Sequence, residues 1–501
     1  MQSKVSGFLR EPVSPVVCEH IYKPRLEHDF SIMLPYITEL NKVHLLALHR
    51  AGHISSDSAK ALAQALLSIE KAGASAVDLD PQREDSYFNY EAHLIKIVGP
   101  DSGGRMHVGR SRNDLNCAMD RLCARDRMLN IEAQVITIGN TLLEKAAEFT
   151  DVVMPGYTHM QAAQPISYGF YLAALASSLV RDCERLATIW PHINLSPLGS
   201  GALAGTTFHL DRHYLANMAG FDGLVDSTLD AVASRDFGLE MLAAFSVLSV
   251  NWSRIAQDYF VWVTSEFQSI DFPDSVTGTS SIMPQKKNPV VLEHLKGKAG
   301  AFLGRYVEAI TAFKSVNFTN TIDGNRASMK AVWDGCDEME SCLPLVNLIA
   351  STARPNAETL HRRATEDFST VTDLADMLYR EHDIPFRAGH HIIGAVVRHA
   401  IDSKLSAPQI TAEMINTETA REVGRRIELN DDTVKKCLDP MHSLESRQEI
   451  GAPSPTSTHR LIAELSEKLA TRKHDLENRC QRTAAARQRL VDGIQHLLSN
   501  A

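Results

Sequence analysis

The chain has 501 residues, 44% of them hydrophobic, and a formal net charge of −10 at pH 7. That is enough apolar material for a large core in two or three domains, while the acidic balance and the lack of a dense basic cluster exclude a nucleic-acid-binding protein. Eight cysteines lie scattered without Cys-x-x-Cys or Cys/His spacing and read as reduced thiols, and no apolar run is long enough for a signal peptide or a membrane span, so a cytoplasmic protein without membrane contact is expected.

The pattern predicts an all-α protein. Residues 1–30 read as irregular, with Pro12, Pro15 and Pro24. Residues 31–52 and 56–73 form a predicted antiparallel helix pair, capped at Ser56 or Asp57. A helix follows over 85–98, and Glu84-Asp85-Ser86-Tyr87 before it reads as a capping stretch. Residues 115–149 have no Pro and a single Gly, Gly139, and predict a helix of roughly 50 Å. Residues 236–268 place Phe237, Met241, Ala244, Leu248, Ile255, Tyr259 and Trp262 at spacings of three, four and seven, a bundle seam. Further helices are predicted over 289–314 and 326–351, shorter ones from about 355, and a polar one over 458–498. The expected units are an N-terminal helical domain (1–114), a central long-helix domain (115–354) and a C-terminal helical domain (355–501).

Residues 277–293 carry the densest chemistry. A Gly/Ser/Thr loop with adjacent hydroxyls, Ser280 and Ser281, runs through Met283 to Lys286 and Lys287. Asn288 is expected to cap the next helix, with Pro289 at its first position, ahead of Val290 and Glu293. A helix start offers free N–H groups and partial positive charge, so the segment reads as an anion site with a hydroxyl beside it. Gly278 and the Ser/Thr run make residues 273–286 a candidate lid.

Two other segments are polar in a way that suits a carboxylate substrate. Ser111, Arg112 and Asn113 precede the long helix; Arg suits bidentate carboxylate recognition, and Ser and Asn add short donors. Residues 155–165 read as irregular backbone bearing Thr158, His159, Gln161 and Gln164, with His159 a candidate for proton transfer. Residues near 112 and near 158 fall at opposite ends of the predicted 115–149 helix. One site using both requires a second chain, and long apolar-faced helices are hard to bury in a monomer, so a homo-oligomer is expected. The glycine-rich stretch 196–208 reads first as a packing turn. No His, Cys, Asp or Glu set has metal-ligand spacing, and neither metal nor cofactor is expected.

Taken together, His107 to Asp114, Gly156 to Gln164, Pro197 to Phe208, Ser234-Arg235-Asp236-Phe237 and Ser280 to Glu293 resemble the fumarase/aspartase superfamily, and within it the argininosuccinate lyase subgroup. The five motifs come in the family's order and at its spacing across about residues 30–350. The resemblance implies a three-domain all-α fold, a homotetramer around a shared helix bundle, and sites drawing on three chains. It implies anti elimination of an amine from an N-substituted aspartate, giving fumarate. Ser280 would be the base. Ser281, the Met283 N–H, Lys286 and Asn288 would receive the aci-carboxylate, while Ser111, Arg112, Asn113, Thr158 and Gln161 would orient the succinyl portion. His159 paired with Glu293 would assist amine departure. Departures from the family cluster elsewhere. Thr279 stands for the usual Gly and Leu115 for Gln. Tyr87 replaces His, and Val290 replaces Asp. Asn320, Asn325 and Ser328 replace the Tyr, Gln and Lys that hold the amino-acid portion of argininosuccinate, and Arg326 is a new cation beside them. The amine half is therefore expected to differ: an aminocarboxylate such as a disuccinylated diamine, with Arg326 meeting its carboxylate. The alternatives are argininosuccinate cleavage in arginine biosynthesis and a non-catalytic structural protein on a lyase scaffold.

Overall fold

The computed structural model describes residue 8 and residues 11–499. We number the principal helices in chain order. They are α1 Lys23–Arg50, α2 Ser56–Ala72, α3 Ser86–Val98, α4 Arg112–Glu148, α5 Tyr168–Ile193, α6 Asp236–Trp262, α7 Val290–Phe313 and α8 Ser328–Thr352. After these come α9 Val371–His382, α10 Phe386–Asp402, α11 Ala412–Val423, α12 Asp431–Leu438 and α13 Pro455–Ser499. Strands are few: a hairpin of β1 Val153–Thr158 and β2 Gln161–Ser167, and two pairs only two residues long. Among the described residues no helix is long and apolar enough to cross a membrane.

The irregular stretch expected over 1–30 lies partly outside the described residues. From Pro15 onward it is helical, through a π turn at Cys18–Tyr22 into α1. Pro24 falls in the first turn of α1, where a missing N–H breaks no helix bond.

α4 begins in a capping box. The Ser111 hydroxyl accepts the Asn113 N–H at 3.2 Å, and the Asp114 carboxylate accepts the Ser111 N–H at 3.0 Å. The 37 residues of α4 give it a length of about 55 Å. α5, unassigned by the sequence pattern, runs back along it: Arg121 near the start of α4 donates to the His192 carbonyl at the end of α5. α6 runs forward again, joined at its start by Arg235 to Asp120 at 2.8 Å. The whole predicted seam of α6, from Phe237 to Trp262, is buried, each large apolar side chain contributing roughly 1.5–3 kcal/mol over exposure. α7 packs back on α6, the Trp252 indole N–H donating to the Leu295 carbonyl. α8 then reverses again, with Lys298–Glu338 and Arg305–Asp334 pairs across the two helices.

One hydrophobic core runs through α1 to α8 and takes in Leu465, Leu469, Leu476, Leu490 and Ile494 of α13. A second, smaller core, including Leu378, Ile392, Val396 and Val434, joins α9 to α12. The unit expected over 355–501 thus loses its last helix to the bundle. Two features bring α13 there. The Arg479 guanidinium meets Glu132 of α4 at 2.6 Å, both buried. Gly139, the one glycine of α4, leaves room for Leu469; a Cβ there would lie 2.8 Å from its Cδ1.

Candidate active site

The polar residues singled out in the sequence gather at the two ends of this bundle. At the start of α4, every side chain of the Ser111–Asn113 segment has a partner within the chain. The Ser111 hydroxyl is the cap. Arg112 donates to Glu84 and Asp85, both at 3.0 Å, and its guanidinium lies 4.0 Å over the Phe88 ring. Asp85 is therefore both the cap of α3, accepting the Phe88 N–H at 3.0 Å, and a partner of Arg112. It is 2% exposed. The capping expected of this stretch is thus only one of two roles of Asp85. Asn113 donates to the Ala202 carbonyl at 3.0 Å and accepts from Asn320 at 2.7 Å. The 196–208 stretch braces this end: the Gly201 N–H donates to Asp114, and a Cβ on Gly201, whose φ is +60°, would lie 2.5 Å from the Gly205 carbonyl oxygen. Burial pushes the Asp114 carboxyl up to about 6 against the opposing pull of the Ser111 and Gly201 amides.

Tyr87, one of the departures, organises the approach to α4. Its buried hydroxyl accepts from Arg110 at 2.9 Å, lies 2.8 Å from His107 Nδ1 and reaches Glu91 at 3.2 Å. Burial, and then the Arg110 and Arg112 guanidiniums, hold the His107 pKa down to about 4, so this imidazole is neutral at neutral pH. Behind the segment His44 Nε2 lies 2.8 Å from the Val108 carbonyl, and burial lowers its pKa well below the ordinary value.

A cavity of about 450 Å³ opens beside this end, bordered by Asp85, Asn320, Asn325 and Arg326. Asn325 and Arg326 sit on a π turn, Asp323–Ala327, at the entry to α8; such turns recur at functional sites. Arg326 makes no hydrogen bond among the described residues, and the carboxylate it approaches is Asp85 at 3.7 Å. Burial, and then the neighbouring Arg25, lower its pKa to about 10, which leaves it a cation at neutral pH.

The other end of the bundle carries His159 and Ser280. Residues 155–165, expected to be irregular, form the β1–β2 hairpin. His159 and Met160 make its two-residue turn with φ of +53° and +59°. Such turns favour Asn-Gly, so two side-chain-bearing residues here store strain of order 1–3 kcal/mol each. Thr158, His159 and Gln161 are exposed at the tip.

The loop before α7 is closed at its neck. Gly278 and Asn288 exchange two backbone hydrogen bonds of 2.8 Å. This corrects the expected cap. Asn288 is committed to the bridge, its side chain donates to the Thr279 carbonyl at 3.1 Å, and α7 starts one residue later than predicted, at Val290. A Cβ on Gly278 would lie 2.6 Å from Val290 Cγ1, so glycine lets the neck close against the helix. Inside the loop the Ser280 Oγ accepts the Met283 N–H at 3.1 Å and the Ile282 N–H at 3.4 Å. The Met283 N–H assigned to the substrate is thus directed at Ser280 in this conformation. The two lysines separate. Lys287 pairs with Asp271 at 3.1 Å and Asp274 at 3.3 Å and pins the loop, while Lys286 is exposed and has no side-chain partner among the described residues. Ser281 and Glu293 are also exposed.

The chain joins Arg112, Asn113, Asn320 and Arg326 at one end and carries His159, Ser280, Ser281, Lys286 and Glu293 at the other. No hydrogen bond or ion pair among the described residues links His159 to Glu293, or either to Ser280. Val290 and Asn320, read together as amine-side positions, lie at opposite ends of α7: Val290 is the first of its 24 residues and Asn320 follows its end at Phe313, about 36 Å away at 1.5 Å per residue. Chemically, one end offers a hydroxyl that accepts two amides and, in the same loop, an ammonium group with no side-chain partner among the described residues; the other offers a chamber lined by amides and arginine–carboxylate pairs.

Long antiparallel helices with polar loops at both ends define a helical bundle. A family model described as Lyase matches residues 21–304, and one described as Argininosuccinate lyase C-terminal matches residues 368–445. Argininosuccinate lyase 1 of Shouchella clausii (strain KSM-K16) is 36% identical over 465 residues, 93% of each chain, and argininosuccinate lyase of Methanococcoides burtonii is 36% identical over 435 residues, 87% of each. EDDS lyase in complex with formate superposes with a TM-score of 0.86 at 31% identity, covering 94% of this chain and 93% of that one. The chain belongs to the fumarase/aspartase superfamily, in its argininosuccinate lyase subgroup, and is a carbon–nitrogen lyase. The reading as a non-catalytic scaffold is set aside.

Proposed function

We propose that the protein cleaves an N-substituted aspartate, an aminopolycarboxylate of the EDDS kind, to fumarate and an amine, reversibly and without a cofactor. The observation that carries this reading is the Ser280 Oγ, which accepts two loop amides in the same loop as Lys286, a lysine with no side-chain partner among the described residues. Two N–H groups and a cation in the same loop stabilise a serine alkoxide that water would not. The alkoxide takes the proton next to the substrate carboxylate. The electron pair spreads onto that carboxylate as a dianionic aci form, which Ser281, Lys286 and Asn288 receive. The pair then forms the carbon–carbon double bond as the C–N bond breaks, and the amine leaves with a proton assisted by His159 and Glu293. Thr158, Gln161, Ser111, Arg112 and Asn113 orient the succinyl carboxylates.

We infer a cytoplasmic homotetramer with each site shared between chains. The length of α4 between Arg112 and His159 supports this. So does α7, whose Leu303, Val307 and Ile310 are exposed in one row and whose Gly297, Gly300 and Gly304 face open space. A second copy would cover that row. EDDS lyase likewise has a variant structure with bound fumarate, superposing with a TM-score of 0.86 at 30% identity. Argininosuccinate as the substrate is the second reading, favoured by the names of the curated relatives. Against it, a guanidinium needs a free carboxylate, and Asp29, Asp85 and Asp120 on the chamber wall are each paired with arginine. Fumarate absorbance on a panel of N-substituted aspartates tests both. Release from disuccinylated diamine above that from argininosuccinate supports the proposal, and the reverse order overturns it.

A further inference from the structure

Behind the start of α4 one phenol meets three groups, and the direction of every hydrogen bond between them follows from what each can give. Tyr87 is 1% exposed, and its hydroxyl has one hydrogen to donate and two lone pairs to fill. Arg110 can only donate, so its guanidinium takes one lone pair at 2.9 Å. The hydrogen goes either to Glu91 Oε1 at 3.2 Å or to His107 Nδ1 at 2.8 Å. Glu91 decides between them. The half-buried Arg110 has Asn41 as its other side-chain partner and no ion pair among the described residues. An ionised Glu91 across the phenol is the charge that balances it. Burial raises the Glu91 carboxyl, and Arg110 and then the Tyr87 hydrogen bond lower it. An ionised carboxylate only accepts, so the Tyr87 hydrogen goes to Glu91. His107 then gives its Nδ1–H to the second lone pair, and Nε2 is its bare nitrogen.

The phenol is also a wedge. His107 Nδ1 and Glu91 Oε1 are 4.0 Å apart, and the Tyr87 oxygen stands within 3.2 Å of both. Its ring packs on His107, the centroids 5.2 Å apart, and the Arg110 guanidinium lies 5.1 Å over the ring centroid. A second anchor on the same stretch has one direction as well: the Val108 carbonyl only accepts, so His44 Nε2 carries the hydrogen between them. The ionisable groups facing His107 are His44 from α1, Asp85 and Glu91 from the start and body of α3, Arg110 from its own stretch and Arg112 from α4. Residues 107, 108 and 110 are thus each held from behind. The chain continues directly from them into Ser111, Arg112 and Asn113.

Resting on the lyase reading above, we propose that Tyr87 is a positioning residue for the succinyl half of the site. Through Arg110 and an Nδ1–H His107 it fixes the stretch that presents Ser111, Arg112 and Asn113. Its hydroxyl is taken up entirely by protein groups, so it acts through the chain that follows and not on substrate. Phenylalanine at this position keeps the ring and removes the hydroxyl. Arg110 then loses one of its two partners, and nothing separates the imidazole from Glu91. The two close up as imidazolium and carboxylate, the imidazole taking its proton from solvent. A third cation then stands beside Arg110 and Arg112, the stretch 107–110 moves toward α3, and the groups it leads into move with it.

Two measurements on the full-length enzyme test this. A neutron structure of the parent near neutral pH is expected to place deuterium on His107 Nδ1, with Nε2 bare and the Tyr87 deuterium directed at Glu91. Deuterium on Nε2 alone, or on both nitrogens, overturns the proposal while the lyase reading stands. The second measurement is fumarate release from the N-substituted aspartate that the parent cleaves fastest. Tyr87→Phe is expected to raise KM by about tenfold or more, because displaced carboxylate-binding groups hold substrate poorly. Tyr87→His, which again offers one donor and one acceptor, is expected to recover part of that loss. A purely structural role would reduce the number of folded sites and so lower kcat at unchanged KM. That result, or a parental KM in Tyr87→Phe, overturns the positioning role. A parent that releases no fumarate from any N-substituted aspartate overturns the lyase reading and with it the positioning role, whatever the neutron map shows.

Discussion

Replacing Ser280 by Ala separates catalysis from folding at this site. Among the described residues the Ser280 hydroxyl accepts only the Ile282 and Met283 amides. Ile282 is 82% exposed and Met283 39%, so water can replace the lost acceptor. The stability cost is one or two exposed hydrogen bonds, about 0.5–1.5 kcal/mol at most. In a chain of this size that corresponds to a Tm shift of about 2 °C or less. The loop neck at Gly278 and Asn288 does not involve the hydroxyl and should persist. If Ser280 is the base, elimination loses its proton acceptor, a rate effect on the order of 10²–10⁴-fold, or about 3–5 kcal/mol in the barrier. The assay is fumarate release under saturating substrate, run beside thermal unfolding of the same preparation. A kcat within about tenfold of the parent at unchanged Tm would refute Ser280 as the base.

Gly278→Ala should push the loop neck off α7, because its Cβ would meet Val290 Cγ1 at 2.6 Å; kcat should fall by about tenfold or more, and adding Val290→Ala should restore much of it in the same assay. Arg479→Ala should leave Glu132 charged, buried and unpaired, costing about 3–5 kcal/mol in denaturant unfolding, with a smaller loss when both residues are replaced by apolar ones. His44 and His107 have folded-state pKa values below 6.5, the latter about 4. Between these values and 6.5 the unfolded chain binds protons that the fold does not, so stability is lost as pH falls below 6.5. Denaturation at pH 7.5 and pH 5 should show this loss, and it should shrink in His44→Gln.

Much of the fold was legible because burial imposes a period. The α6 seam and the α4 stretch stood out since only helical packing spaces large apolar residues that way. The 168–193 helix, missing from the predicted elements, carries the same period: Leu172, Ala176, Leu179, Cys183 and Leu186 face the core between polar residues such as Arg181 and Glu184, and Pro191 falls only near its end. The site was legible as separate motifs, and the pairings within it were not. Asn288 has the chemistry of a cap, but the bridge to Gly278 takes its backbone first. His159 and Met160 are poor turn residues, so no local signal announced a hairpin. Asp85 read as a cap because that role is local, whereas its pairing with Arg112 bridges 27 residues. The chain of amides from Ala202 through Asn113 to Asn320 likewise depends on contacts across 89 and 207 residues that no spacing rule reports.

The central claim is that residues at opposite ends of one chain act together in sites shared between chains. Mixing two inactive variants, Ser280→Ala and Arg112→Ala, after dissociation and reassembly tests it directly. Shared sites predict that fumarate-releasing activity returns in the mixed oligomer, because some sites then draw Ser280 and Arg112 from unmutated segments. Mixed oligomers that form, as seen by native mass spectrometry, yet remain inactive at every ratio would contradict the account.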